Sequence, residues 1–294
     1  MKIDYDESKY ADVPVELKER FFSFADDVEI REIQRGSRSF RYIERGPRDA
    51  KAVVFFTGGV KFPLFSFSVI EALSRELHVI APAQPQCRTI SEFLDGVNAI
   101  LETESIAGYS VAGSSWGGQV AQVAVLNSPQ RVDRAVLANT GISSGVAIGL
   151  ALRLYRWAIH RKKPEEVVAG FRKQALGMLC DTEQSTAFWT ALFDDLFERY
   201  MTYEDFVTLI DTQIDYVQTY SAELARGGFA TPVLILSSAN ESAGSAKMRS
   251  QLRQAYPNAE VYEFSEGGHH PALLHLQEYQ QVVEEFLQRE DVST

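Results

Sequence analysis

Short apolar runs, separated by stretches with one-sided helical patterning, organise this chain. Ala52-Val-Val-Phe-Phe56 is apolar at every position and stops at Thr57-Gly58-Gly59. A run that short, closed by glycine, suits a parallel strand buried on both faces. Similar runs occupy Val79–Ala81, Tyr109–Ala112, Ala135–Ala138, Val233–Leu236 and Val261–Phe264. Between them, Thr89-Ile-Ser-Glu92 reads as a capping box that opens a helix. Trp116–Leu126, Ala246–Ala255 and Leu276–Leu287 carry helical periodicity too. Strands alternating with such helices predict an α/β fold, a mostly parallel doubly wound sheet covered on both faces.

Two regions depart from the alternation. Residues Val28 to Glu44 alternate around Gly36-Ser37 and predict an N-terminal antiparallel hairpin. Residues 141–225 contain helical patterns over Leu150–Ile159, Pro164–Met178, Thr186–Tyr200 and Tyr203–Tyr220, without a convincing strand. That interval reads as a helical cap inserted between two core strands. Its aromatic residues (Tyr155, Trp157, Phe171, Phe188, Trp189, Phe193, Phe197, Tyr200) are expected mainly in the cap's own core, with some facing a pocket. The expected division is an arm over 1–27, a core over 28–140 and 226–294, and a cap over 141–225. In the arm, Asp12 is expected to cap a helix with Pro14 in its first turn, burying Val15, Leu17, Phe21, Phe22 and Phe24 on one side.

Composition narrows the function. The chain has 294 residues and a net charge of −11, a balance that disfavours nucleic acid and anionic bilayers as main partners. Two cysteines, Cys87 and Cys180, exclude a disulfide framework and fit a reducing compartment. The opening MKIDYDESKY has no apolar core of a signal peptide, so a cytoplasmic protein is expected. The apolar stretch Ile142–Leu152 is too short and too broken to span a bilayer. One positive island stands out, Arg153, Arg156, His160, Arg161, Lys162 and Lys163. It is either a solvated helix face or a landing site for an anionic carrier or lipid headgroup.

The chemistry starts at Gly113-Ser114-Ser115-Trp116-Gly117, a G-x-S-x-G pattern between a buried-type strand and a helix. A strand that turns sharply into a helix holds its serine at the tip, where the free N–H groups of the helix converge. Serine needs a base to activate it, and the base needs an acid to orient it. Of five histidines, His269 and His270 follow Glu266-Gly267-Gly268, directly after the last predicted strand. His269 is the preferred base and His270 the alternative. After Val233–Leu236 the loop Ser237-Ser-Ala-Asn-Glu-Ser242 offers one carboxylate, Glu241, as the orienting acid. The strand ending at Ala138 is followed by Asn139-Thr140, so the other plausible acid position has none. Oxyanion donors are expected from the N–H of Trp116 and of Gly59, with Val60 next.

These motifs together resemble the α/β-hydrolase superfamily, through the GSSWG elbow, the TGG turn and the GGHH loop. Within it the chain looks most like the maspardin branch. The similar segments are Val79-Ile-Ala-Pro-Ala-Gln-Pro85, Phe93-Leu-Asp-Gly-Val97, Asn240-Glu-Ser-Ala243, Ala255-Tyr-Pro-Asn-Ala259 and Gly267-Gly268. That resemblance implies a cytosolic or endosomal adaptor without turnover, but His269 after the glycine pair departs from it. Ser115-Trp116-Gly117-Gly118 also resembles, locally, the elbow of acyltransferases that build hydroxyacyl lipid precursors. A serine in the elbow argues against the dehalogenase and epoxide-hydrolase branches, which use aspartate. The absence of a G-x-G-x-x-G after the first parallel strand, and of a Walker motif, argues against nucleotide binding. The expectation is a serine hydrolase of a small acyl ester or thioester, with no cofactor and no metal. An acyltransferase or lyase on the same site, or a maspardin-like adaptor, are the alternatives.

Overall fold

A computed structural model describes residues 1–179 and 183–290 of the chain. Cys180 therefore lies outside the described residues; Cys87 is buried and free. The sheet is formed by β1 (Ile30–Arg35), β2 (Arg38–Arg45), β3 (Ala52–Phe56), β4 (His78–Pro82), β5 (Tyr109–Ser114), β6 (Val132–Ala138), β7 (Val233–Ser238) and β8 (Glu260–Phe264). Its order is β1-β2-β4-β3-β5-β6-β7-β8. The first two strands form the hairpin and β2 pairs antiparallel with β4; every later pairing is parallel. The apolar residues of β3 to β7 are divided between two buried clusters, one on each face, because helices cover both.

The helices are α1 (Val15–Asp27), α2 (Phe67–Leu73), α3 (Ile90–Thr103), α4 (Trp116–Asn127), α5 (Val146–Ile159), α6 (Pro164–Gly177), α7 (Glu183–Arg199), α8 (Tyr203–Asp215), α9 (Ser221–Leu224), α10 (Ala246–Ala255), α11 (Pro271–Leu274) and α12 (Leu276–Gln288). Thr89 caps α3, its hydroxyl accepting from Glu92 N–H at 3.2 Å, but the Glu92 carboxylate accepts from Arg88 N–H (2.9 Å), so only half of the expected capping box forms. One face of the sheet packs against α1, α2 and α12, the other against α3 and α4. Helices α5 to α9 all lie in the connection from β6 to β7.

Three details differ from the sequence reading. Pro14, not Asp12, is the N-cap of α1, and no side chain caps it; Val15 points to solvent. Phe188, Trp189 and Phe193 of α7 pack with Tyr10, Phe21, Phe65 and Phe67, outside the inserted helices, as well as in the cluster that takes in Leu176 and Leu179. The arm thus docks on α7 as well as on the sheet, helped by Lys9–Asp195 at 3.1 Å and Arg199–Asp4 at 2.6 Å. Tyr155 and Trp157 are exposed.

Lys61 joins the inserted helices to the turn after β3. Its Nζ donates to Thr208 Oγ1 (2.9 Å), Pro85 O (3.1 Å) and Asp205 O (3.2 Å). Burial, opposed by Asp205, pushes its pKa down to about 8. The unfolded chain then binds more protons than the native one between about pH 8 and 10.5, so stability must rise with pH across that window. Between pH 8 and 9.5 we expect the unfolding free energy to climb by about 1–2 kcal/mol. Urea melts of wild type and Lys61→Met, which should lack the slope, check this.

Candidate active site

The elbow is shaped by steric exclusion. Strand β5 ends at Ser114, α4 begins at Trp116, and Ser115 between them has φ 55° and ψ −120°. A non-glycine residue at such a φ is strained and persists only where its surroundings hold it. Here Ser115 N–H donates to Ala138 O (3.0 Å), and the Thr140 hydroxyl donates to Ser115 O (2.7 Å). A β-carbon on Gly113 would lie 2.3 Å from Gly117 O, and one on Gly117 would lie 2.1 Å from Phe56 O. The glycines two before and two after the serine are therefore demanded by backbone that has nowhere to move.

Glu241 follows β7 and His269 follows β8, and the two meet. His269 Nδ1 lies 3.0 Å from Glu241 Oε2. Gly267 and Gly268 both have positive φ, which turns the chain so that the imidazole comes back toward the strand ends. Gly268 N–H donates to Asn240 Oδ1 (2.8 Å). The Glu241 side chain is only 4% exposed. Burial pushes its carboxyl up, but hydrogen bonds from His269, Asn139 and the Ala243 N–H outweigh that and hold it below the ordinary range. The site therefore holds an ionised carboxylate against an imidazole nitrogen.

Asn139 escaped the sequence reading. Its Nδ2 donates both to Glu241 Oε2 (2.6 Å) and to Gly268 O (3.1 Å), so one amide braces Glu241 and the loop carrying His269. The signal is its place directly after β6, where the missing carboxylate draws attention away from the amide's own bonding capacity. Its positive φ of 43° also marks it.

His270 lines the same cavity as His269 but sits differently. Its ring meets Phe65 edge-on at 5.6 Å and His269 at 4.8 Å. Burial, with His269 beside it, pushes its pKa well down and keeps it neutral. It forms no ion pair with a carboxylate among the described residues.

Gly59 and Trp116, with Val60, line the cavity beside Ser115. Among the described residues neither the Gly59 nor the Trp116 N–H has an intramolecular acceptor, so both can receive negative charge. The Trp116 ring is buried, and its Nε1–H donates to Gln84 Oε1 (3.0 Å). Gln84 in turn donates to Thr212 Oγ1 (3.2 Å), and its N–H to Lys61 O (2.9 Å). Gln84 and Lys61 were likewise missed, since nothing in their local pattern separates them from surface residues.

The cavity has a volume of about 380 Å³. Ser115, Glu241 and His269 line it together, and the inserted helices wall it with Ile148, Leu152, Phe171, Phe206 and Leu209. Ser115 Oγ makes no hydrogen bond to His269 in this arrangement. Catalytic hydrogen bonds of unliganded sites are often long or misaligned and tighten on substrate.

Residues 51–276 match the family model for the alpha/beta hydrolase fold. The chain belongs to the alpha/beta hydrolase fold family. Solved structures of similar shape agree with this alpha/beta hydrolase architecture. A hydrolase from Pseudomonas aeruginosa is 18% identical, with 89% of this chain and 99% of that chain covered at a TM-score of 0.73. An enol-lactonase from Burkholderia xenovorans is also 18% identical, covering 88% of this chain and 100% of that one at 0.72. A haloalkane dehalogenase from Bradyrhizobium elkani is 16% identical, covering 89% and 98% at 0.66. At such identities the likeness shows the fold, and the variety of names shows that this alpha/beta hydrolase fold does not set the chemistry.

Proposed function

We propose that this protein hydrolyses a carboxylic ester or thioester through an acyl-enzyme. Ser115 is the nucleophile, His269 the base and Glu241 the acid that orients it. The observation that carries the reading is the buried carboxylate 3.0 Å from His269 Nδ1, at the edge of the cavity that Ser115 lines. That bond sets the proton on Nδ1 and leaves Nε2 as the acceptor. Ser115 Oγ attacks the acyl carbon while His269 Nε2 takes its proton. The N–H groups of Gly59 and Trp116 receive the negative oxygen. The intermediate collapses, and the departing alkoxide or thiolate takes the proton from His269. Water, deprotonated by the same nitrogen, then releases the acid. Residues 141–225 act as a cap whose apolar wall selects the acyl or alcohol part. An enol-lactonase among similar structures is consistent with ester chemistry.

A fluorophosphonate probe tests the reading. Wild-type protein should be labelled, and Ser115→Ala should not. Folded wild type that takes no label would favour the adaptor role that the maspardin resemblance implies, and label surviving in Ser115→Ala would mean another nucleophile.

A further inference from the structure

Helix α5 presents a face that the catalytic reading does not use. Val146, Leu150, Leu154, Tyr155 and Trp157 on this one helix are all large, apolar and exposed, Trp157 by 57%. Val146, Leu150, Leu154 and Trp157 follow one another at helical spacing, so they form a stripe rather than scattered positions. The stripe runs into the basic island. From Val146 to Pro164 the chain has five lysines and arginines and no acidic residue, within a protein of net charge −11. Arg156 is paired with Asp211, whereas Arg161, Lys162 and Lys163 are exposed and have no ion pair among the described residues. Arg161 stacks over the Trp157 ring at 3.4 Å. A surface groove lined by Arg153, Arg156, Trp157, His160 and Arg161 sits at this end of the helix.

We propose that this face of α5 docks reversibly on an anionic lipid surface. An apolar stripe ending in unpaired cations matches the acyl region and the negative headgroups of such a surface at once. The rest of the protein is acidic, but repulsion fades beyond roughly 8 Å at physiological salt, so the local island decides. The face also adjoins the cavity. Ile148 and Leu152 of the same helix line it, and exposed Gln174 and Met178 bring it to the surface on the neighbouring α6 side. The stripe is too short to span a bilayer, and no helix among the described residues is long and apolar enough to do so. Docking is therefore peripheral.

Flotation with phosphatidylcholine vesicles, with and without phosphatidylserine, tests the proposal. The protein should float only with vesicles containing phosphatidylserine, and less so as salt rises. Trp116 and Trp189 are buried, so a blue shift of tryptophan emission on binding should come from Trp157 and vanish in Trp157→Phe. The double variant Lys162→Glu/Lys163→Glu should bind about tenfold more weakly or worse. Its melting temperature should not change, because both side chains stand in solvent. Three outcomes overturn the proposal: no preference for phosphatidylserine, binding unaffected by the double variant, or a dimer that Leu154→Glu dissociates. The last would give the stripe to a second copy of this chain. None of these readings depends on turnover, so failure here leaves the fluorophosphonate result standing.

Discussion

His269→Ala should lower kcat for a p-nitrophenyl ester by on the order of 10⁴ to 10⁶, leaving the melting temperature within about 4 °C of wild type. The size follows from the proposed role: without the imidazole nothing takes the Ser115 proton, and the remaining donors stabilise an intermediate that rarely forms. The small thermal effect follows from what stays behind. Glu241 keeps its bonds from the Asn139 amide and the Ala243 N–H, so the buried carboxylate is not stranded. His270→Ala is the paired control and should keep kcat within about tenfold, since that ring has no carboxylate behind it. The reverse pattern would move the base to His270. Because its partners hold Glu241 ionised below the ordinary carboxylate range, the acid limb of the rate profile should come from another group.

Gly117→Ala should be among the most damaging small substitutions in the chain. Its β-carbon would stand 2.1 Å from Phe56 O and 2.5 Å from Thr57 O. Both are backbone atoms where β3 runs into the turn carrying Gly59. They cannot swing aside as a side-chain tip could, so either the elbow or the strand end must shift. We expect a loss of more than about 3 kcal/mol, about 5–10 °C in melting temperature, together with loss of fluorophosphonate labelling. Gly59→Ala calibrates the result. There the new carbon would meet only Leu209 Cδ2 at 3.8 Å, an ordinary contact. A loss in Gly117→Ala as small as that in Gly59→Ala would show that the elbow tolerates more than the geometry allows.

The parts that could be read from the sequence are those governed by local rules. Strand β3 matches the apolar run Ala52–Phe56 because glycine closes it and both faces are buried. The elbow has a spacing set by clashes within a few residues, and Glu241 and His269 sit in loops that follow recognisable strands. What escaped depends on distant partners. Helix α2, Phe67–Leu73, was not seen because six of its seven residues are buried, which erases a polar face. The aromatic residues of α7 gave no sign that they would pack on Tyr10 and Phe21. Asn139, Gln84 and Lys61 matter through hydrogen bonds to residues far away in the chain, which no periodicity records.

Helix α5 is read from two sides: Ile148 and Leu152 face inward, Leu150, Leu154 and Trp157 outward. Successive residues of an α-helix are about 100° apart, so one inserted or deleted residue would rotate both sets together. Ligand preference and surface character are thus mechanically linked in heredity. Descendants of this gene can retune either by point substitution, but slippage along this segment would change both at a stroke.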